Sequence, residues 1–150
     1  MARHPIPDAD TAAADLLAAC GLLIRRLRAE SNNLELTWSQ SAILSRLALA
    51  GPTSIADLAR AESVKPQSMG ASLAMLESDG LVERTPHPSD GRQFLFSLTA
   101  VGTEAHRRVR RSKQGWLASA MSELSDDERD DLARAAKVIA RLADGDTRAS

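Results

Sequence analysis

The sequence predicts a mainly α-helical protein that carries one small β-hairpin. Apolar residues recur at helical spacing through most of the chain, hydroxyl residues precede several of these stretches in capping patterns, and residues 81–98 instead alternate with the period of strands. The 150 residues are 43% hydrophobic and include only 6 prolines and 8 glycines. This composition is typical of one folded domain with its own core.

Two predicted helices open the chain. The first has an apolar stripe from Ala13 to Leu27 on one face. The second begins at a capping box formed by Thr37 and Gln40, and it ends at Gly51, which a proline follows directly.

A short helix, a tight turn and a longer helix come next. Ser54 and Asp57 form another capping box and start the short helix, which is about two turns long. Residues 62–64 make the turn, and Pro66 suits the first turn of the following helix, which ends at Gly80. This order is typical of a helix-turn-helix unit, whose second helix, the recognition helix, lies in the major groove of DNA.

The predicted recognition helix has one apolar face and one face almost free of bulk. With about 100° of rotation per residue, Leu73 and Leu76 lie beside Met69 on the buried side. The residues on the opposite side are Gln67, Ala71, Ala74 and Ser78. Together with Gly70, these small residues would let the backbone approach a groove closely, and Gln67 has the amide that reads adenine.

Two extended segments, residues 81–85 and 93–98, form the predicted hairpin, or wing. Gly91 supplies the backbone freedom of a sharp turn, and Asp90 is expected to hold the guanidinium of Arg92 outward. Directed in this way, the arginine would enter an adjacent minor groove, where the negative potential is strong. The alternative is a surface ion pair worth ~0 to 1 kcal/mol.

Two more helices complete the chain. Thr99 caps the first of them, and Ser125 with Glu128 caps the last. The first and last helices of the chain each have an apolar stripe outside the winged unit, so each needs a partner surface. A second copy of the chain can cover both stripes, which predicts a two-fold homodimer. Its two recognition helices would lie ~34 Å apart and bind a near-palindromic operator. Pairing of the two helices within one chain is the alternative.

These elements predict a single domain over residues 1–150. Its fold class is mainly α with a small β-hairpin wing: a winged helix-turn-helix with N- and C-terminal dimerisation helices. The winged part covers about residues 36–98, and the dimerisation helices cover about residues 9–30 and 100–143.

Three motifs stand in the winged part: residues 80–84 (Gly-Leu-Val-Glu-Arg), residues 86–92 (Pro-His-Pro-Ser-Asp-Gly-Arg) and residues 98–102 (Leu-Thr-Ala-Val-Gly). Together with the entry to the second helix, residues 36–40 (Leu-Thr-Trp-Ser-Gln), they resemble the MarR family of bacterial regulators. The resemblance implies a dimeric winged helix-turn-helix protein that represses or activates nearby genes. It also implies release of DNA when a small, commonly aromatic, ligand binds.

The resemblance extends to single residues. By position, residues 66–68 match the start of the family's recognition helix, and Asp90 with Arg92 matches its wing pair. Where many members carry an arginine in the recognition helix, this sequence has Gly70-Ala71, so base reading would fall more heavily on Gln67, Lys65 and the wing.

The predicted function is that of a sequence-specific transcriptional regulator of duplex DNA, a repressor released by a small molecule. Its predicted DNA-binding residues are Ser54, Lys65, Pro66, Gln67, Ser68, Ala71, Ser72, Arg84, Asp90 and Arg92. Because the chain has no tyrosine and two phenylalanines, it lacks stacking platforms for single strands. A net charge of −1 and a pI near 6.3 argue against a protein that coats nucleic acid by bulk charge. The near-neutral charge and the bare Gly70-Ala71 face keep open an alternative, a winged-helix module that binds protein instead of DNA.

Several further residues invite functional interpretations. Trp38 and Trp116 are the predicted ligand-binding residues, in a cleft between helices 1, 2 and 5, and the alternative is that they belong to the core. The basic run from His106 to Lys113 is interpreted as a solvated face that pairs with the acidic C-terminal segment. Cys20 could act as the sensing thiol of a redox-sensing regulator. Its position in the apolar stripe instead favours the interpretation that it is a small, buried hydrophobic side chain.

The sequence argues against an enzyme. Its 3 histidines and 1 cysteine have no metal-ligand spacing, and it contains neither a glycine-rich phosphate loop nor a nucleophile elbow. We therefore expect no catalytic residues, no metal and no cofactor. The chain has no uncharged stretch that spans a bilayer and no apolar signal region at its start, so we expect a cytoplasmic protein that does not associate with membranes.

Overall fold

The structure is a computed structural model that describes residues 7–31 and 36–145. Its contacts divide the chain into two compact units, one ending at Lys113 and the other beginning at Gln114. The elements in chain order are α1 (Ala9–Ser31), α2 (Trp38–Ala50), β1 (Thr53–Ser54), α3 (Ile55–Ala61), α4 (Pro66–Ser78), β2 (Val82–Pro86), β3 (Phe94–Leu98), α5 (Ala100–Ser122) and α6 (Asp126–Ala143). The mainly helical fold class with a small wing is confirmed.

The helix ends follow the capping residues that the sequence predicts. At the start of α2, the Gln40 N–H donates to Thr37 Oγ1 at 3.2 Å, and the Thr37 N–H donates to Gln40 Oε1 at 2.8 Å. Ser125 and Glu128 form the same box at the start of α6. Each box satisfies two backbone N–H groups that a helix start otherwise leaves unpaired.

The cap of α3 differs from the predicted box. The Asp57 N–H donates to Ser54 Oγ at 3.2 Å, but the return bond comes from the Ser54 hydroxyl to Asp57 Oδ2 at 2.8 Å, not from the backbone N–H. An aspartate side chain is one methylene shorter than the glutamate or glutamine of a full box, and it bonds the nearer hydroxyl.

The wing is a three-stranded antiparallel sheet with the strand order β1-β3-β2. The predicted hairpin pairs Val82 with Leu98 at one end and Pro86 with Phe94 at the other. The third strand, β1, was not predicted, because two residues are too short to show a period. It pairs Thr53 with Phe96 and so attaches the start of α3 to the wing.

The core of the winged part lies between α2, α3, α4 and the sheet. The largest fully buried side chains are Leu44, Leu58, Met69, Leu73, Leu76 and Val82. Three of them belong to α4, as the helical spacing predicts, and burial of each stabilises the fold by about 1.5–3 kcal/mol. The predicted inner face of α4 is therefore confirmed, and its opposite face is left for solvent.

The turn between α3 and α4 is made by a residue in the left-handed region. Ser63 has a φ of 53°, an uncommon value for a residue other than glycine. The Val64 N–H donates to the Ala59 carbonyl oxygen at 3.0 Å, and the Arg46 guanidinium on α2 pairs with Glu62 at 3.1 Å. These contacts fix the direction in which α4 leaves the turn.

Helix α1 presents apolar side chains to solvent. Among its described side chains, only Cys20, Leu27 and Glu30 are half-buried, and the others are exposed. Cys20 is thus half-buried, which is less than the sequence predicts. In the second unit, α6 buries none of its side chains and leaves Leu132, Val138, Ile139 and Leu142 exposed.

No helix in the described residues is long and apolar enough to cross a membrane. Within the same residues, no three histidine, cysteine or acidic side chains stand close enough together to hold a metal ion.

Candidate nucleic-acid interface

The first turn of α4 is the exposed end of the helix. Lys65 is its N-cap residue, and the lysine side chain makes no capping hydrogen bond. Pro66, Gln67, Ser68 and Ala71 are exposed as the sequence predicts. Because the first N–H groups of a helix lack carbonyl partners and carry partial positive charge, this turn can bind a phosphate.

Two residues of α4 lie elsewhere than predicted. A Cβ atom on Gly70 would lie 3.9 Å from Ile55 Cδ1, so this position faces α3 and not the open side of the helix. Ser72 is half-buried and lines a cavity of about 330 Å³ that Trp38 and Met69 also line. The reason is the 100° rotation per residue, which turns both positions away from Gln67 and Ala71.

The tip of the wing is closed by Asp90, but not through the guanidinium of Arg92. Asp90 Oδ1 accepts a hydrogen bond from the Arg92 backbone N–H at 3.1 Å, and Oδ2 accepts one from Gln93 Nε2 at 3.1 Å. The predicted ion pair is therefore replaced by a turn in which the carboxylate binds the backbone. Gly91 also differs from the prediction, because it does not adopt a positive φ.

Arg92 is left exposed by this arrangement. Its guanidinium has no acidic partner among the residues that the structure describes. The same holds for the ammonium group of Lys65 within that part of the chain. Both cations are free to meet an external anion.

A groove of about 350 Å³ joins the start of α4 to the wing. Four residues that the sequence predicts as DNA-binding line it: Ser54, Pro66, Arg84 and Arg92. Ser54 itself is 7% exposed, and its hydroxyl is engaged in the cap of α3. The helix-turn-helix and the wing therefore open onto one surface.

Arg84 has two partners that sequence reasoning missed. Its Nε lies 3.2 Å from Glu77 Oε1, and its guanidinium carbon lies 5.1 Å from the centroid of the Phe94 ring. Glu77 belongs to α4 and Phe94 to β3, so no local period places them together. The opposite charges at positions 77 and 84 are the only sequence signal for the pair.

Comparison with known proteins agrees with this geometry. The sequence profile of the MarR family matches residues 36–94. An HTH-type transcriptional regulator of Mycobacterium tuberculosis is 39% identical over 132 residues, which are 88% of this chain and 92% of that protein. The chain belongs to the MarR family.

Other members of the family extend the comparison. An HTH-type transcriptional repressor of Mycobacterium tuberculosis is 36% identical over 95 residues, 63% of this chain and 68% of that protein. The crystal structure of wild-type MarR from E. coli superposes with a TM-score of 0.74 at 23% identity and covers 91% of this chain and 98% of that one. The second similarity shows the MarR fold.

The Trp38 ring contacts two cations. The Arg28 guanidinium carbon of α1 lies 4.8 Å from the ring centroid, and Lys113 Nζ of α5 lies 4.3 Å from it. Burial lowers the pKa of Lys113 below its ordinary value. In this MarR-family chain Trp38 thus contacts α1 and α5, while the cavity beside it lies between α2 and α4. Trp116 belongs to the second unit, and a cleft shared by the two tryptophans stays a prediction.

The basic run on α5 is not uniformly solvated. His106, Arg110 and Lys113 line a cavity of about 450 Å³ with Ser45 and Leu49 of α2. Burial lowers the pKa of His106, and the charges of Arg110 and Lys113 lower it further. Arg111 pairs with Glu104 on the same helix at 2.6 Å.

Three acidic residues of α6 form ion pairs within that helix. Arg134 pairs with Asp130 at 3.2 Å and with Asp131 at 2.5 Å, and Arg129 pairs with Asp126. Pairing between the basic run and the acidic segment stays a prediction.

Proposed function

We propose that this chain regulates transcription by binding an operator in duplex DNA, with α4 in the major groove and the wing at an adjacent minor groove. One observation carries the proposal: Pro66 at the start of α4 and Arg92 at the tip of the wing line a single groove, and neither Arg92 nor Lys65, which directly precedes Pro66, has an acidic partner among the described residues. Free cations on a continuous surface are what phosphate binding needs, even in a chain of net charge −1.

The proposal assigns base reading to the outer face of α4. Gln67 is positioned in the first turn, where its amide would pair with adenine. Ala71 and Ala74 are exposed and apolar, which suits contact with thymine methyl groups. Ser68 and Lys65 would bind phosphates, and Arg92 would enter the minor groove.

The proposal includes a two-fold homodimer. The exposed apolar residues of α1 and α6 are the surfaces that a second copy would cover. A dimer of this kind places two recognition helices ~34 Å apart, which requires a near-palindromic operator. In this assembly residues 1–150 act as one domain, with residues 36–98 as its winged part and residues 9–30 and 100–143 as its dimerisation helices.

Repression relieved by a small ligand is the finer part of the proposal. Support for repression comes from the relative that is a transcriptional repressor. Support for a ligand comes from the cavity beside Trp38, which apolar side chains line together with Glu62 and three serines, a mixture that suits a small aromatic molecule with a polar group. This function involves no reaction on the ligand or the DNA, so we assign no catalytic residue.

Neither alternative from the sequence is favoured. A winged module that binds only protein would not need the two free cations at the groove, and the relatives of the chain are transcriptional regulators. A redox sensor built on Cys20 has no support from its surroundings, because the half-buried thiol lies on the apolar face of α1.

Fluorescence anisotropy with fragments of the chain's own promoter region tests the proposal. We expect sequence-dependent binding that weakens as salt rises, because phosphate contacts release counterions. Arg92→Ala should weaken binding to all sequences, whereas Gln67→Ala should relax the preference at one base position. Arg107→Ala, which removes an exposed cation of α5, is the matched control and should change little.

Two results would overturn the proposal. One is wild-type binding that is absent or independent of salt. The other is an equal loss on every sequence for both Arg92→Ala and Gln67→Ala, which would contradict their separate roles.

A further inference from the structure

We infer that Arg84 is a positioning residue for DNA binding, and that it holds the wing at a fixed angle to the recognition helix through Glu77 and Phe94. This inference rests on the proposed function. It assigns Arg84 a role different from the direct DNA contact that the sequence predicts, and it adds two residues, Glu77 and Phe94, to the machinery of binding.

The two contacts of Arg84 reach different elements. Glu77 stands one residue before the end of α4, and its Oε1 lies 3.2 Å from Arg84 Nε. Phe94 begins β3, and its ring centroid lies 5.1 Å from the Arg84 guanidinium carbon. One side chain therefore bridges the recognition helix and the strand that leads out of the wing tip.

The strand register places Arg84 and Phe94 on one face of the wing. Arg84 pairs with Phe96 in the antiparallel register, so Phe94 is its diagonal neighbour on the same face. Diagonal neighbours are within reach of long and aromatic side chains. The contact between Arg84 and Phe94 thus follows from the backbone pairing, and Arg92 lies only two residues before Phe94.

Arginine is suited to this role because its guanidinium is planar. Its N–H donors lie in the plane, and its flat face can contact an aromatic ring. Nε lies 3.2 Å from the Glu77 carboxylate while the guanidinium carbon lies over the Phe94 ring, and two contacts of one rigid group restrict its orientation. A lysine at the same position would carry the same charge but would lack the planar fork. The geometry therefore depends on the shape of the group as well as on its charge.

The two arginines of the wing differ in whether an acidic side chain pairs with them. The Arg84 and Glu77 side chains are 54% and 35% exposed and form an ion pair, so a carboxylate stands beside the positive charge of Arg84. Arg92 has no such partner in the described part of the chain. Arg92 is the cation that meets DNA, and Arg84 sets where Arg92 stands relative to α4.

The decisive variant is Glu77→Gln, because the two roles predict opposite signs. If Arg84 only contributed charge, removal of a carboxylate beside DNA would strengthen binding. If Arg84 positions the wing, loss of the ion pair weakens binding to the operator, and we expect about a two- to fivefold loss in affinity. Glu83→Gln removes a carboxylate from the same strand without touching the bridge, and it should leave binding unchanged or slightly tighter.

Arg84→Lys and Phe94→Leu are the second pair of variants in this test. Both should weaken operator binding by a similar factor, while the dependence of affinity on salt stays that of the wild type, because neither removes a positive charge. Arg92→Ala, in contrast, should lower the salt slope by about 1. The inference is overturned if Glu77→Gln binds as tightly as the wild type or tighter, or if Arg84→Lys binds like the wild type.

Hydrogen exchange of the free protein tests the role of Arg84 without DNA, and therefore independently of the proposed function. In Glu77→Gln the amides of Arg92 and Gln93 should exchange faster than in the wild type, while those of Leu73 and Leu76 in α4 stay protected. Unchanged exchange at the wing would reject the bridge even where DNA binding is confirmed. Faster exchange would support the bridge even in a protein that failed to bind DNA, and that failure would reject the proposed function alone.

Discussion

Gly102 lies directly against the backbone of Leu81: a Cβ atom at position 102 would stand 1.8 Å from the Leu81 carbonyl oxygen. That oxygen also accepts a hydrogen bond from the Thr99 N–H at 3.1 Å, and the Thr99 hydroxyl donates to the Gly80 carbonyl oxygen at 2.6 Å. The first turn of α5 is thus packed on the link between the recognition helix and the wing. This contact explains why a glycine stands inside a helix, where it is otherwise unfavourable.

Gly102→Ala should destabilise the fold, because the added methyl group forces the backbone of α5 away from Leu81. We expect the free energy of unfolding to fall by about 1–3 kcal/mol, as measured by urea denaturation. Gly115→Ala is the matched control on the same helix, since a Cβ atom there has nothing within 4 Å. It should raise the stability by up to about 1 kcal/mol. Equal effects of the two substitutions would contradict the close contact.

Thr37→Ala should lower the stability of the winged part. The substitution removes the hydroxyl that accepts the Gln40 N–H at the start of α2. We expect a loss of about 0.5–2 kcal/mol in the free energy of unfolding. Thr37→Ser keeps the hydroxyl and should retain most of the stability, so a serine variant as unstable as the alanine variant would count against the capping box.

Stability should decrease as the pH falls below the ordinary pKa of histidine, and His106 should contribute to the decrease. Burial holds the pKa of His106 below 6.5, and Arg110 and Lys113 lower it further, while the Ser45 hydroxyl lies 3.5 Å from Nδ1. The unfolded chain therefore takes up a proton at a higher pH than the folded protein, so the free energy of unfolding falls from pH 6.5 down to the folded pKa.

His106→Gln checks this pH dependence. The variant should lose part of the difference in unfolding free energy between about pH 8 and about pH 5.5, because it cannot take up the proton. A variant with the same pH slope as the wild type would show that His106 is not responsible.

If α1 forms part of the dimer interface, substitutions at two neighbouring leucines of this helix should affect self-association differently. Leu23 lies on the apolar stripe with the half-buried Cys20 and Leu27, whereas Leu22 lies off the stripe and is 61% exposed. Leu23→Glu should therefore shift the protein toward monomers in sedimentation experiments, and Leu22→Glu should not.

The dependence of thermal stability on protein concentration tests the dimer in the wild type. The midpoint of thermal unfolding should rise with protein concentration if folding and association are linked. A wild type that sediments as a monomer throughout, or equal effects of the two glutamates, would reject α1 as a dimer surface.

The local parts of the fold could be predicted because their causes are local. The box at Thr37 and the glycine at Gly51 mark the ends of α2, and the spacing of Met69, Leu73 and Leu76 identifies the buried face of α4. The prediction missed β1, since a two-residue strand exists only through its pairing with β3.

The candidate site was predicted less completely. The exposed turn at Pro66 to Ser68 follows from position in the helix, but the partners of the wing residues do not. Asp90 binds the Arg92 backbone and not its guanidinium, a choice that depends on how the turn closes. Gly70 and Ser72 were misplaced although the rotation of about 100° per residue already turns them away from Gln67 and Ala71. Only the structure shows that Gly70 faces Ile55 of α3 and that Ser72 lines the cavity beside Trp38.

The sequence by itself determined the order of the elements, the family and the residues that open the recognition helix, because capping, periodicity and turn chemistry act over three or four neighbouring residues. Only the tertiary structure decided which charges are free and which are paired. Glu77 and Arg84 meet across the end of α4 and a strand, and a contact between segments depends on how they pack in space, which no short pattern records.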